Sequence, residues 1–132
     1  TILDHGQLPG SLELAYLGDA GYSLFVRRML VARGLTKAKD LNREALKYVT
    51  AEAQARMYRK IEHMLLDDER DVFRRAANST HLNRPKHASV TDYRYATGFE
   101  AVVGMLTWIN DTERLKMLLD AAHMEDNNDT EN

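Results

Sequence analysis

The stretch Leu14-Ala15-Tyr16-Leu17-Gly18-Asp19-Ala20-Gly21-Tyr22-Ser23-Leu24-Phe25-Val26 sets a single carboxylate among apolar and small residues. Leu14, Leu17, Gly21, Leu24, Phe25 and Arg28 recur at helical spacing. They predict a helix from near Ser11 to near Arg33-Gly34, with those positions on one side. Gly34 suits its end, because glycine accepts the left-handed conformation there. A second stretch has the same character, Tyr95-Ala96-Thr97-Gly98-Phe99-Glu100-Ala101-Val102-Val103-Gly104-Met105-Leu106, again with one carboxylate between glycines. A lone charge in such a segment is costly to bury unless a partner, hydrogen bonds or a metal ion compensates it. Neither stretch offers a basic partner close to its carboxylate on the same face. Gly18, Gly21, Gly98 and Gly104 each cost roughly 1 kcal/mol relative to alanine inside a helix. Such residues mark close approach of another backbone or a ligand. Helices packed through them would bring Asp19 and Glu100 together.

Working outward, the pattern stays helical. Asp40 is suited to cap a second long helix, whose core positions Leu41, Ala45, Tyr48, Val49, Ala53, Met57, Ile61 and Met64 keep the helical period. Asp67-Asp68-Glu69 suits the positive N-terminal end of a third, shorter helix with Val72 and Phe73 facing inward. From Asn78 to Ser89 the period stops, in a basic stretch broken by Pro85. Ser89 followed by Asp92 reads as a capping box for the Glu100 helix, which carries Tyr95, Phe99, Val102, Leu106 and Ile109 on one face. Asn110-Asp111 restarts a last helix with Leu115, Leu118, Leu119 and Ala122 as its apolar stripe. No useful strand-like alternation or internal repeat is present. The expectation is an all-α helical bundle.

With 132 residues and 44% apolar content, the chain fits one domain with enough apolar side chains for a core. Residues 1–124 are expected to form that domain, and residues 125–132, with four acids and no base, a disordered acidic tail. Cysteine is absent, which excludes disulfides and thiolate metal sites. There is no basic-then-apolar leader and no apolar run of bilayer length, so a cytoplasmic protein with no membrane partner is expected. The net charge of −2 averages unlike regions. Between Arg27 and Arg94 stand sixteen Lys or Arg against nine Asp or Glu, an excess of seven. A basic body of this kind can meet phosphates, though an ordinary mixed-charge helical surface gives the same count.

Asp19 and Glu100 are the candidate catalytic residues and metal ligands. With oxygen donors only and no His-x-x-x-His pair, Mg²⁺ or Mn²⁺ is favoured over zinc, and Mg²⁺ needs only one or two carboxylates beside its waters. Such an ion would activate water against a phosphodiester and stabilise the leaving oxygen. The alternative is that both acids are satisfied by hydroxyls or distant arginines. Around the basic stretch, Arg75, Asn78, Arg84, Lys86 and Arg94 are candidate RNA-backbone contacts, since arginine and lysine position phosphates and asparagine suits ribose 2′-hydroxyls. A merely solvated basic loop is the bland alternative. Arg94 is alternatively a structural partner for a carboxylate.

These motifs together resemble one family. Leu14-Ala15-Tyr16-Leu17-Gly18-Asp19-Ala20 resembles the signature helix of the ribonuclease III catalytic domain, and Phe99-Glu100-Ala101-Val102-Val103-Gly104 its second acidic motif. Asn78-Ser79, Pro85-Lys86 and Tyr93-Arg94-Tyr95-Ala96-Thr97-Gly98-Phe99-Glu100-Ala101 are more specifically similar to Mini-ribonuclease III, the short branch without a double-stranded RNA-binding domain. The resemblance runs from about Leu14 to Leu119. Of the four acidic ligands of full-length ribonuclease III, two positions look like Ala15 and Thr97 here, a thinning the short branch shares. An arginine often found just before the loop asparagine is replaced by Ala77.

The resemblance implies a ribonuclease III endonuclease-domain-like bundle. It further implies a homodimer built through the signature helices, with Leu17, Gly21 and Tyr22 as available surface, and one acidic site per subunit. The implied activity is Mg²⁺-dependent cleavage of double-stranded RNA to 5′-phosphate and 3′-hydroxyl ends. The implied partner is precursor ribosomal RNA of the large (23S) subunit. Two rivals remain: a catalytically silent RNA-binding or ribosome-assembly module on the same fold, and a helical protein-interaction domain.

Overall fold

The computed structural model describes residues 7–79 and 88–124. Among these residues six α-helices follow one another: α1 (Ser11–Ala32), α2 (Ala38–Val49), α3 (Ala51–Ile61), α4 (Asp67–Ser79), α5 (Val90–Trp108) and α6 (Thr112–Ala122), with a 3₁₀ turn over Glu62–Met64. The expected all-α bundle is what the chain forms. Among the described residues no helix is long and apolar enough to cross a membrane. The acidic tail, Arg84 and Lys86 lie outside the described residues.

α5 is the central element and packs against α1, α3, α4 and α6. The single apolar face expected for it is a correction: Ala96, Gly98, Phe99 and every residue from Ala101 to Leu106 are buried, so α5 is covered nearly all round. Its small residues let neighbours approach. A Cβ on Gly98 would stand 2.4 Å from the Phe73 ring, which stacks on Tyr58 at 3.9 Å between centroids. Ser89 caps the helix as expected, its hydroxyl accepting from Asp92 N–H at 3.0 Å. Asp92 turns its carboxylate to Arg59, 3.2 Å away.

α1 has the expected bounds, and Gly34 follows it at φ +93°. Its buried face differs from the expected one. Leu14, Gly18, Tyr22, Val26 and Leu30, each four residues on, face the core together with Ala15. Leu24 and Arg28 are exposed, and Gly21, Leu24, Phe25 and Arg28 line a groove against α6. Leucine and glycine fit either side of this stretch, so periodicity alone did not choose. Tyr22 is only 1% exposed, its ring edge-on to Phe99 and its hydroxyl 3.1 Å from His123 Nε2, so it offers no surface to a second subunit. The exposed apolar residues of α1 are Leu12, Tyr16, Leu24 and Val31.

The single long helix expected from Asp40 to Met64 is two helices, broken at Thr50, whose ψ of 159° is extended. The Thr50 hydroxyl accepts from Ala53 N–H at 3.1 Å, so the break is a capped helix start. Asp40 lies in the first turn of α2, paired with Arg43, and Lys37 stands at the cap. The acidic cluster opening α4 is also more than a complement to the helix dipole. Glu69 is 1% exposed and receives Arg114 from α6 through two hydrogen bonds of 2.8 and 2.9 Å, plus the Leu66 N–H at 2.8 Å. Burial works to raise the Glu69 carboxyl, but these hydrogen bonds and the guanidinium charge hold it below its ordinary value.

Candidate active site

α1 and α5 cross at their glycines. A Cβ on Gly18 would stand 2.9 Å from Gly104 N, and one on Gly104 only 1.8 Å from the Leu14 carbonyl oxygen. The two backbones touch where any larger residue would hold them apart. That contact sets Asp19, the residue after Gly18, beside Glu100 of α5, close enough for the carboxyls to share a hydrogen bond. Asp19 is exposed at the rim and Glu100 is partly buried beneath it. The expectation of two buried charges therefore needs correcting: only Glu100 loses much of its water.

Burial, followed by the hydrogen bond with Asp19 and that residue's negative charge, pushes the Glu100 carboxyl up to about 8. Two carboxyls at this separation resist double ionisation, and a proton or a cation between them relieves the repulsion. The donor set consists of oxygens only and suits a hard divalent cation that keeps most of its waters. Among the described residues no third histidine or acid joins the pair. At the other two family positions, Ala15 is buried, and the Thr97 hydroxyl donates to the Tyr93 carbonyl at 3.0 Å.

A third residue of the site escaped the sequence reading. Gln54, in the first turn of α3 and 3% exposed, donates from Nε2 to Glu100 Oε2 at 3.3 Å and to the Val49 carbonyl at 3.1 Å. A carbonyl and a carboxylate oxygen both call for the amide N–H, which fixes the orientation of the amide. Its Oε1 is buried with no partner among the described residues. A signal for Gln54 existed: it precedes Tyr58 and Ile61 by four and seven residues, a polar side chain on a buried stripe. The extended backbone at Thr50 also matters, because α3 starts there and carries Gln54 to the carboxylates.

The candidate RNA contacts are placed differently from one another. Arg94 donates from Nε to the Ala77 carbonyl at 3.0 Å and from Nη2 to Asn78 Oδ1 at 2.6 Å, clasping the end of α4 to α5. Arg94 is thus a structural partner, to a carbonyl and an amide rather than to a carboxylate. Arg75 stands apart from this clasp, exposed, with its Nε 3.1 Å from Asp71.

Residues 12–109 match the model of the ribonuclease III domain family. The chain is 41% identical to a Mini-ribonuclease 3 of Streptococcus pneumoniae, over 85% of this chain and 89% of that one. It is 46% identical to a Mini-ribonuclease 3 of Symbiobacterium thermophilum, over 84% of this chain and 85% of that one. A crystal structure of a Fusobacterium nucleatum protein superposes with a TM-score of 0.82 at 28% identity, covering 92% of this chain and 98% of the other. With its glycine crossing, its carboxylate pair and these matches over most of its length, the chain belongs to the ribonuclease III family, in its Mini-ribonuclease 3 branch.

Proposed function

We propose that the protein is a Mg²⁺-dependent endoribonuclease that cuts double-stranded RNA to 5′-phosphate and 3′-hydroxyl ends, with Mn²⁺ able to replace Mg²⁺. The observation that carries this reading is the Asp19–Glu100 pair, two acids held against each other by helix packing so that both can ionise only with a cation between them. The names of the relatives support the substrate class.

The chain's own residues have distinct parts. Asp19 at the rim and Glu100 below it would hold the ion, which would polarise the phosphodiester and stabilise charge on the leaving oxygen. Glu100 would give up its proton on taking up the ion. Gln54 keeps the Glu100 carboxylate aimed at the rim. Arg75, Arg84 and Lys86 are proposed backbone contacts, and the Arg94–Asn78 clasp orders the end of α4 from which the basic stretch departs.

The protein acts as a homodimer in this reading. Leu12 and Tyr16, 80% and 83% exposed on α1 within two turns of Asp19, supply an apolar face for a second copy, and twofold symmetry matches a duplex. The large-subunit ribosomal RNA precursor as substrate, and the cytoplasm as compartment, rest on the family branch.

The test is cleavage of a labelled RNA duplex with Mg²⁺ by wild type, Asp19→Asn and Glu100→Gln. Metal-dependent cutting by wild type alone, with duplex binding kept in both variants, is the expected result. Binding without cutting in all three, with Mg²⁺ or Mn²⁺ and on precursor ribosomal RNA, would make the protein a silent RNA-binding module.

A further inference from the structure

Next to the carboxylate pair, a cavity of about 250 Å³ opens between α1 and the break that separates α2 from α3. Asp19, Ser23 and Arg27 line it from α1, one residue per turn, and Ala45, Val49 and Gln54 line it from the other side. We propose that this cavity is a subsite for the ribose–phosphate unit next to the scissile bond, with Arg27 on its phosphate and Ser23 on its sugar. The assignment rests on the carboxylate pair being the cutting site.

Three observations carry it. First, the Arg27 side chain has no ion pair or hydrogen bond among the described residues, whereas Arg43, Arg59, Arg70, Arg74, Arg75 and Arg114 are each paired with an acid; Arg28 is equally unpaired, but only Arg27 lines the cavity that Asp19 enters. An unpaired guanidinium opposite no carboxylate but Asp19 is free to take a phosphate in its fork of donors. Second, eight residues of helix separate Asp19 from Arg27, a rise of about 12 Å. That rise puts Arg27 at the far end of the cavity from Asp19, on the side of a phosphate next to the one being cut. Third, the lining is mixed. Val49 and Ala45 offer an apolar wall for the C–H face of a sugar, and Ser23 a hydroxyl that can pair with a ribose hydroxyl. A free anion would use neither, so the lining favours ribose–phosphate.

The experiment is equilibrium binding of a short RNA duplex to the full chain in EDTA, where nothing is cut, across a series of salt concentrations. Arg27→Gln should weaken binding about tenfold, the scale of one charge-assisted hydrogen bond, and lower the salt slope by about one phosphate contact. Arg27→Lys should restore the slope while recovering only part of the affinity, since a point charge lacks the fork. Arg28→Gln, changing a neighbour that lines the opposite groove against α6, is the charge-matched control and should retain wild-type affinity to within a factor of two or so. A 2′-deoxy substitution beside the cut site should weaken wild type and have a smaller effect on Ser23→Ala. Equal losses in Arg27→Gln and Arg28→Gln, or an unchanged Arg27→Gln in a protein that binds and cuts duplex RNA, would overturn the subsite alone. Failure of wild type to bind the duplex would overturn the nuclease reading with it.

Discussion

Gly18 and Glu100 meet backbone to backbone: a Cβ added to Gly18 would stand 1.6 Å from the Glu100 carbonyl oxygen. The residue that lets α1 reach α5 is thus adjacent in sequence to one carboxylate of the site and in space to the other. Gly18→Ala should force the helices apart and cost more than about 3 kcal/mol in denaturant unfolding, because the obstructing atoms are backbone and cannot rotate away. Gly21→Ala is the contrast. Its Cβ would meet Thr107 Oγ1 at 3.0 Å and Val103 Cγ1 at 3.3 Å, the ends of side chains. The gain in helix propensity of roughly 1 kcal/mol offsets that contact, so its unfolding midpoint should stay near wild type.

The Glu100 carboxyl titrates near 8 in the folded, metal-free protein, against about 4.3 in an unfolded chain. Between those values the unfolded state has lost the proton and the native state retains it. Metal-free stability should therefore fall as pH rises from about 4.5 to 8, by a few kcal/mol, and level off above. Glu100→Gln should flatten that part of the curve. A wild-type melting temperature in EDTA that stays level or rises across this window, relative to Glu100→Gln, would count against the coupled pair.

Gln54→Met keeps the volume, removes the hydrogen bond to Glu100 and also removes the orphaned Oε1. Unfolding free energy should change by less than about 1.5 kcal/mol, since an unpaired buried acceptor goes with the lost donor. Mn²⁺ affinity by calorimetry should drop about 10- to 100-fold, the usual effect of losing a group that orients a ligand. Loss of stability with metal affinity intact would make Gln54 a packing residue only.

Glu69 and Arg114 join α4 to α6 far from the carboxylate pair in sequence, and Arg114 also donates to the Met64 carbonyl at 2.7 Å. Glu69→Ala leaves a mostly buried guanidinium without its anion and should cost about 3–5 kcal/mol. Lowering the pH through the depressed folded pKa of Glu69 should remove the same stabilisation, which is fully present only above the ordinary carboxylate range. The double variant Glu69→Met with Arg114→Leu should recover much of the loss. A melting temperature for the double variant as low as that of Glu69→Ala would contradict this account.

The amino-acid sequence by itself determined the helical class, the ends of α1, the cap at Ser89 and the restart at Asn110-Asp111, and it pointed to a meeting of Asp19 with Glu100. Each of these is local chemistry: a glycine that tolerates positive φ, a short oxygen-bearing side chain before a helix, a carboxylate beside glycines that have no other use inside a helix. Only the tertiary structure decided which face of α1 turns inward, because leucine, glycine and aromatic residues surround that helix and two faces were equally apolar. It also decided the break at Thr50, where one capping hydroxyl outweighs an unbroken helical period, and through that break the arrival of Gln54 at Glu100. Asp19 stays in water and Glu100 is partly withdrawn from it, although both sit in similar strings of residues. The difference is depth: α5 is wrapped by four other helices and α1 lies along one side of it, and no pattern along the chain encodes depth.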